Sequence, residues 1–232
     1  MPAPRSSRAP GRPPPRPTAN RVLDASERLA QTRGFNGFSY ADVAARVGVT
    51  TASLHYHFPG KAALGLALVA RYAERFARAL GAIRAGSPRA AERLGRYAAI
   101  YGAVLGEGRI CLCGMLAAEY ETLPPALRAA VRGFFDANET WLAQVLEEGR
   151  ARGELAFAGE PRDAAFLWTS ALEGAMLLAR PYGDAARVAS VARRLLDAWA
   201  PTTRARRARV SAGRRARAPD PDGRRRPSAR AP

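Results

Sequence analysis

Between residues 18 and 200, apolar side chains recur at three- and four-residue intervals, and no run keeps the two-residue alternation of a half-buried strand. A chain patterned this way buries its apolar faces by packing helix on helix, so the expected fold class is all-α. Alanine, the strongest helix former, supplies much of the 47% hydrophobic content. Punctuation residues set the helix limits. Thr18 precedes a stripe of Val22, Ala25, Ser26, Leu29 and Ala30 that predicts a helix over about 19–32, ended by Gly34. Asn36-Gly37, between Phe35 and Phe38, is a turn dipeptide. Ser39 caps a second helix whose Val43, Ala44 and Val47 face inward. Gly48 then permits a left-handed turn, and Thr50 or Thr51 starts a third helix. A longer helix runs from Pro59-Gly60 to about Arg84, followed by a stop at Gly86-Ser87-Pro88 with Pro88 at the first position of the next. Further helices are predicted at about 88–105, 110–121, 125–151, 161–180 and 184–200. The pattern describes a small helical head and a larger helical body.

The formal charge is +17, but residues 1–20 hold four Arg and no acid, and residues 201–232 hold eleven Arg against two Asp. Only +4 remains for residues 21–200. Both ends are rich in Arg, Pro, Ala and Gly and poor in the large apolar residues that offset ordering entropy, so 1–17 and 201–232 read as disordered tails. Their arginines suit salt-sensitive contact with phosphates. No apolar run matches a secretory signal or a membrane span, which predicts a cytoplasmic protein without a membrane partner. Two cysteines, Cys111 and Cys113, do not make a disulfide framework. The only histidines are His55 and His57, so no metal site and no cofactor is expected.

The segment from Phe38 to Lys61 pairs an apolar backing with an outward face of hydroxyls and rings. Val43, Val47, Val49 and Leu54 lock two short helices in their crossing. Thr51, Ala52 and Ser53 are small enough to bring a helix N-terminus close to base edges, and Thr or Ala suits a thymine methyl. Ser39 and Thr50 or Thr51 leave backbone N–H groups at helix starts where a phosphate fits. Tyr56 and His57 have ring tips of phosphate-reaching length, and Lys61, the only lysine, stands at the start of the next helix. Phe58 is core material. This is the composition of a helix-turn-helix over residues 39–58.

At these residues a resemblance becomes specific. Residues 19–75 resemble the DNA-binding head of the TetR/AcrR family of bacterial transcriptional regulators. The matching elements are Arg33-Gly34-Phe35, Phe38-Ser39, Asp42-Val43-Ala44, Val47-Gly48-Val49, Ser53-Leu54-His55-Tyr56-His57-Phe58, and Lys61 with Leu64. The resemblance implies a homodimer on a palindromic operator of double-stranded DNA, and a helical body whose effector pocket moves the heads. It also implies DNA contact by Ser39, Tyr40, Thr50, Thr51, Ala52, Ser53, His55, Tyr56, His57 and Lys61. At His55 the family usually has Tyr. The implied domains are a DNA-binding head at 18–77 and a ligand-binding and dimerisation body at 78–200.

In the body the resemblance rests on the Cys111 to Glu119 stretch, Leu123-Pro124, Phe134-Phe135, Gly149 to Leu155 and Leu172-Glu173-Gly174-Ala175. Some family members with this pattern respond to electrophiles or unsaturated small molecules through a cysteine at the position of Cys111. That implies an unknown small-molecule effector and a sensor role for Cys111, with Cys113 beside it. Arg109 and a helix N-terminus would favour the thiolate; free cysteines otherwise behave as small buried hydrophobes. Tyr97, Tyr101, Met115, Phe134, Trp141, Trp168 and Met176 are candidate cavity residues, with ordinary core as the alternative, and Glu119 and Glu173, on otherwise apolar helices, are pocket polar groups, dimer contacts or surface. Wide apolar faces at Phe166, Leu167, Ala171, Ala175 and Leu178, then Val188, Val191, Leu195, Leu196 and Trp199, suit a four-helix dimer interface. An enzyme is not supported, because no nucleophile–base pairing, carboxylate pair or phosphate-cradling glycine loop is present. The expected function is a sequence-specific transcriptional regulator, a repressor released by its effector. The alternative is a sequence-tolerant DNA binder driven by the Arg-rich tails.

Overall fold

The computed structural model describes residues 17–201, and the expected disordered tails lie outside those residues apart from their inner ends. Among the described residues the secondary structure is helical throughout. The order is α1 (Thr18–Arg33), α2 (Tyr40–Val47), α3 (Thr51–His57), α4 (Lys61–Gly86), α5 (Ala90–Gly106), α6 (Leu112–Ala118), α7 (Pro125–Ala151), α8 (Pro161–Ala179) and α9 (Ala186–Ala198). Short 3-10 turns follow α6 at Tyr120–Thr122 and α8 at Arg180–Tyr182. None of these helices is long and apolar enough to cross a membrane.

The head is built around a small core that its own sequence pattern dictates. Val22, Leu29 and Ala30 of α1 meet Val43, Ala44 and Val47 of α2, Leu54 of α3 and Leu64 and Leu68 of α4, all buried. Phe35 and Phe38 close the core edge to face, 5.9 Å apart. Gly48 turns the chain between α2 and α3 in the left-handed conformation (φ 74°), which a side chain would resist. The Arg21 guanidinium donates to the Val47 carbonyl at the end of α2, tying α1 to the same turn.

The body packs α5, α7, α8 and α9 around buried Leu94, Tyr97, Leu142, Leu146, Trp168 and Leu172. Trp168 and Trp199 lie 5.7 Å apart and hold α8 to the end of α9. The expected division at 77/78 falls inside α4, an unbroken helix that serves both parts. Three local expectations need correcting. Thr18 is the first helical residue rather than the cap, since Pro17 occupies the cap position and fixes the entry. The helix expected from Pro88 starts at Ala90, where the Glu154 carboxylate accepts the Ala90 N–H at 2.6 Å and replaces a local cap. The helix expected over 110–121 is shorter, and Cys111 is its N-cap rather than a first-turn residue.

Candidate nucleic-acid interface and effector cavity

Capping geometry places the short helices. The Ser39 hydroxyl accepts the Asp42 N–H at 3.3 Å, and the Asp42 carboxylate accepts the Ser39 N–H at 2.7 Å, a reciprocal cap at the start of α2. The Thr50 hydroxyl accepts the Ser53 N–H at 3.2 Å and starts α3. Only Leu54 of α3 is buried, and Phe58 is buried just beyond it. The rest of the helix therefore faces outward. Thr51, Ala52, His55, Tyr56 and His57 are exposed and Ser53 is half-buried. Tyr56 is 85% exposed, so its ring contributes nothing to the core and is available to a partner. Its ring meets that of His57 edge to face at 5.2 Å.

Three expected contact residues are engaged with the protein itself. The Tyr40 hydroxyl donates to the Phe58 carbonyl at 2.9 Å, and burial pushes that hydroxyl above its ordinary range. The His55 ring leans on Tyr40 with centroids 4.7 Å apart. The Lys61 ammonium donates to the Phe38 carbonyl and lies over the Phe38 and Phe35 rings, at 4.6 and 5.1 Å from their centroids. Burial lowers this ammonium, while Glu119 and Asp42 oppose the change. The two rings draw Lys61 inward, where it braces the loop before α2.

In the body, a cavity of about 470 Å³ opens between α6, α7 and α8. Of the expected cavity residues, Met115 and Met176 line it. Phe134 instead lines a groove of about 660 Å³ between α4 and α7. Tyr101 and Trp168 are core: the Tyr101 hydroxyl lies 3.3 Å from that of Tyr97, and Trp168 is fully buried. Glu119, open in sequence to pocket, dimer or surface roles, joins the body to the head. As the C-cap of α6, its carboxylate accepts the N–H groups of Phe35 (2.7 Å) and Asn36 (3.3 Å) in the head, and packs against Gly34. Sequence reasoning missed Phe135, Glu139, Phe166, Thr169 and Leu177 as lining residues. The α8 members recur at three- and four-residue steps, the one available signal.

The expected thiolate is also corrected. Cys111 and Cys113 are both free and buried. The Arg109 guanidinium is engaged by Glu107, by Gln31 at 2.7 Å and by Glu27 at 3.8 Å, and so is directed to these groups rather than to Cys111. Burial, reinforced by Glu173 and Cys113, pushes the Cys111 thiol well up, so it is held protonated. Its sulfur accepts the Gly114 N–H at 3.4 Å and the Tyr72 hydroxyl at 3.7 Å.

Comparison with known proteins covers both parts of the chain. Residues 22–68 match the family model of bacterial regulatory proteins of the tetR family, and residues 90–196 match the tetracyclin repressor-like C-terminal domain. The transcriptional regulator AcuR of Cereibacter sphaeroides is 34% identical over 152 residues, which is 64% of this chain and 69% of AcuR. The transcriptional repressor NemR of Escherichia coli is 29% identical over 167 residues, 70% of this chain and 84% of NemR. A TetR-family regulator from Agrobacterium tumefaciens superposes with a TM-score of 0.76 at 32% identity, covering 79% of this chain and 97% of that one. The E. coli NemR structure, in its reduced form, superposes with a TM-score of 0.71 at 25% identity, covering 80% and 98%. Head, body and overall fold agree, and the chain belongs to the TetR family of bacterial regulatory proteins as a DNA-binding transcriptional regulator.

Proposed function

We propose that the protein is a repressor that binds a palindromic operator as a homodimer and leaves it when a small molecule occupies the body. The observation that carries the DNA half is the outward face of α3, where Tyr56 stands 85% exposed beside His57, Thr51 and Ala52. Thr51, Ala52 and Ser53 read base edges at the helix N-terminus; Tyr56 and His57 hold phosphates. The starts of α2 at Ser39 and of α3 at Thr50 offer backbone N–H groups to the same strands. Tyr40, His55 and Lys61 keep α3 at its angle through the contacts described above.

Dimerisation uses α8, because Val188 and Trp199 of the expected α9 face are buried within their own chain. Phe166, Leu167, Leu177 and Leu178 of α8 are exposed, an apolar stripe that a second copy would cover. The effector half rests on α6. Gly114, Met115, Ala117 and Ala118 of this helix wall the cavity, and Glu119 at its end holds the head loop. A ligand that shifts α6 therefore acts on the backbone in front of α2. Sequence enrichment from random duplexes tests the whole reading. A single palindromic motif is expected, bound by two protomers; enrichment of no motif would refute it.

An electrophile acting at Cys111 is a second route to release. It is favoured by the place of Cys111 at the N-cap of the same helix, where the Gly114 N–H would stabilise a thiolate once formed. A Cys111→Ser protein that still represses and is still released by iodoacetamide would rule this route out.

A further inference from the structure

The cavity between α6, α7 and α8 carries two carboxylates, from Glu173 and Glu139, and no Lys, Arg or His among its lining residues. Burial pushes the Glu173 carboxyl up, and the nearby Cys111 thiol and Tyr101 hydroxyl oppose part of that rise. Its oxygen Oε1 is nevertheless buried without a hydrogen-bond partner. Thr169, only 4% exposed and one turn earlier on α8, has its hydroxyl near enough to that of Tyr97, which burial pushes up, to lower it in part, but makes no hydrogen bond of normal geometry. Both residues line the cavity. On the α6 side, a Cβ at Gly114 would lie 2.4 Å from Glu173 Oε2, so the α6 backbone comes directly against this carboxylate. On the α7 side, burial and the neighbouring Asp136 push the Glu139 carboxyl up, with Arg162 opposing from outside the lining.

Apart from Ser170 the remaining walls are apolar, with Met115, Phe135, Phe166 and Leu177 among them. Buried polar groups in folded proteins are almost always paired, so an orphaned carboxylate oxygen beside an orphaned hydroxyl marks a place for a donor. An anionic ligand would set a like charge beside Glu173 and Glu139 and push both carboxyls up further. A cationic head would relieve the burial of both carboxylates at once, with charge-assisted hydrogen bonds.

We propose that this cavity selects an organic ammonium with an apolar body, its N–H donors on Glu173 and Thr169, and rejects carboxylates of the same shape. The assignment names the effector class and so rests on the effector-released reading. Its test measures ligand binding on the full chain without DNA, so the two fail separately.

Three probes of one shape serve: 4-phenylbutylamine, 4-phenylbutanol and 4-phenylbutanoate, compared by calorimetry at neutral pH. The amine is expected to bind about tenfold more tightly than the alcohol, the difference a charge-assisted pair contributes. The carboxylate should bind more weakly than both. Glu173→Gln should reduce amine affinity about tenfold and change alcohol affinity by no more than about twofold. Circular dichroism checks that this variant folds. If it does not, Glu139→Gln is the second variant, with weaker amine and stronger carboxylate binding expected. Binding of the carboxylate as tight as that of the amine would overturn the assignment, as would amine affinity indifferent to these substitutions, or no binding by the amine at all. Amine binding that leaves the operator complex intact would uphold the ligand class and overturn the effector reading.

Discussion

Tyr56 shows how single residues divide between holding the fold and meeting a partner. Its neighbours Leu54 and Phe58 are buried, so the helix is anchored without it. Tyr56→Ala should leave the melting temperature within a degree or two yet weaken operator binding about tenfold, checked by melting and by titration of labelled duplex. Changes at Thr51 or Ser53 should instead broaden the bases accepted, read by repeating the enrichment with each variant. Asp42 gives a pH signature. Hydrogen bonds from the Ser39 hydroxyl and N–H, with Arg33 nearby, hold its carboxyl below the usual range. A lowered value means that its contribution is present above the ordinary carboxylate range and is lost as pH falls through the folded value. Asp42→Asn should therefore flatten the acid limb of the stability profile, followed by melting at successive pH values. The outward ring of Tyr56 was legible from sequence because apolar neighbours bracket it. The inward turn of Lys61 was not, because the rings that hold it come from Phe35 and Phe38, more than twenty positions upstream.

At the scale of elements, helix spacing and caps were readable wherever the signal is local. Ser39, Thr50 and Gly48 sit where their chemistry predicts, since caps and left-handed turns are decided within a few residues. The stop of α6 was not readable. The helix ends at Ala118, and Glu119 beyond it binds Phe35 and Asn36, over eighty residues away in the chain. The Arg180 guanidinium donates to the Thr32 carbonyl across a still longer separation and joins the end of α8 to α1. These links predict a coupling phenotype. Glu119→Ala removes the acceptor for two head N–H groups, and should destabilise the chain by about 1–2 kcal/mol. Operator affinity should change little, while effector-induced release at saturation falls. Anisotropy of labelled operator with and without ligand measures both. Gly65 is a packing counterpart: a Cβ there would lie 2.8 Å from both Phe35 and Leu127. Gly65→Ala should lower stability by about 1–3 kcal/mol, seen in denaturant unfolding.

For the molecule as a whole, charge and reading surface are separate in the sequence. The folded region keeps little of the +17, and eleven arginines fall after residue 200. Deleting residues 204–232 should make DNA binding less sensitive to salt, by about 0.9 in slope for each phosphate the tail would otherwise neutralise, with operator choice unchanged. Affinity measured over a salt series on operator and on random duplex checks both points. Loss of all discrimination would favour the tail-driven alternative.

Helix α4 starts at Lys61 beside the reading helix and ends at Gly86 among body helices. At 1.5 Å per residue its 26 residues make a rod about 39 Å long. Pivoting such a rod by about ten degrees carries its far tip through about 7 Å. In the proposed homodimer, two α3 helices matched to grooves about 34 Å apart would then fall out of step with the duplex, though every bond inside each head stayed intact.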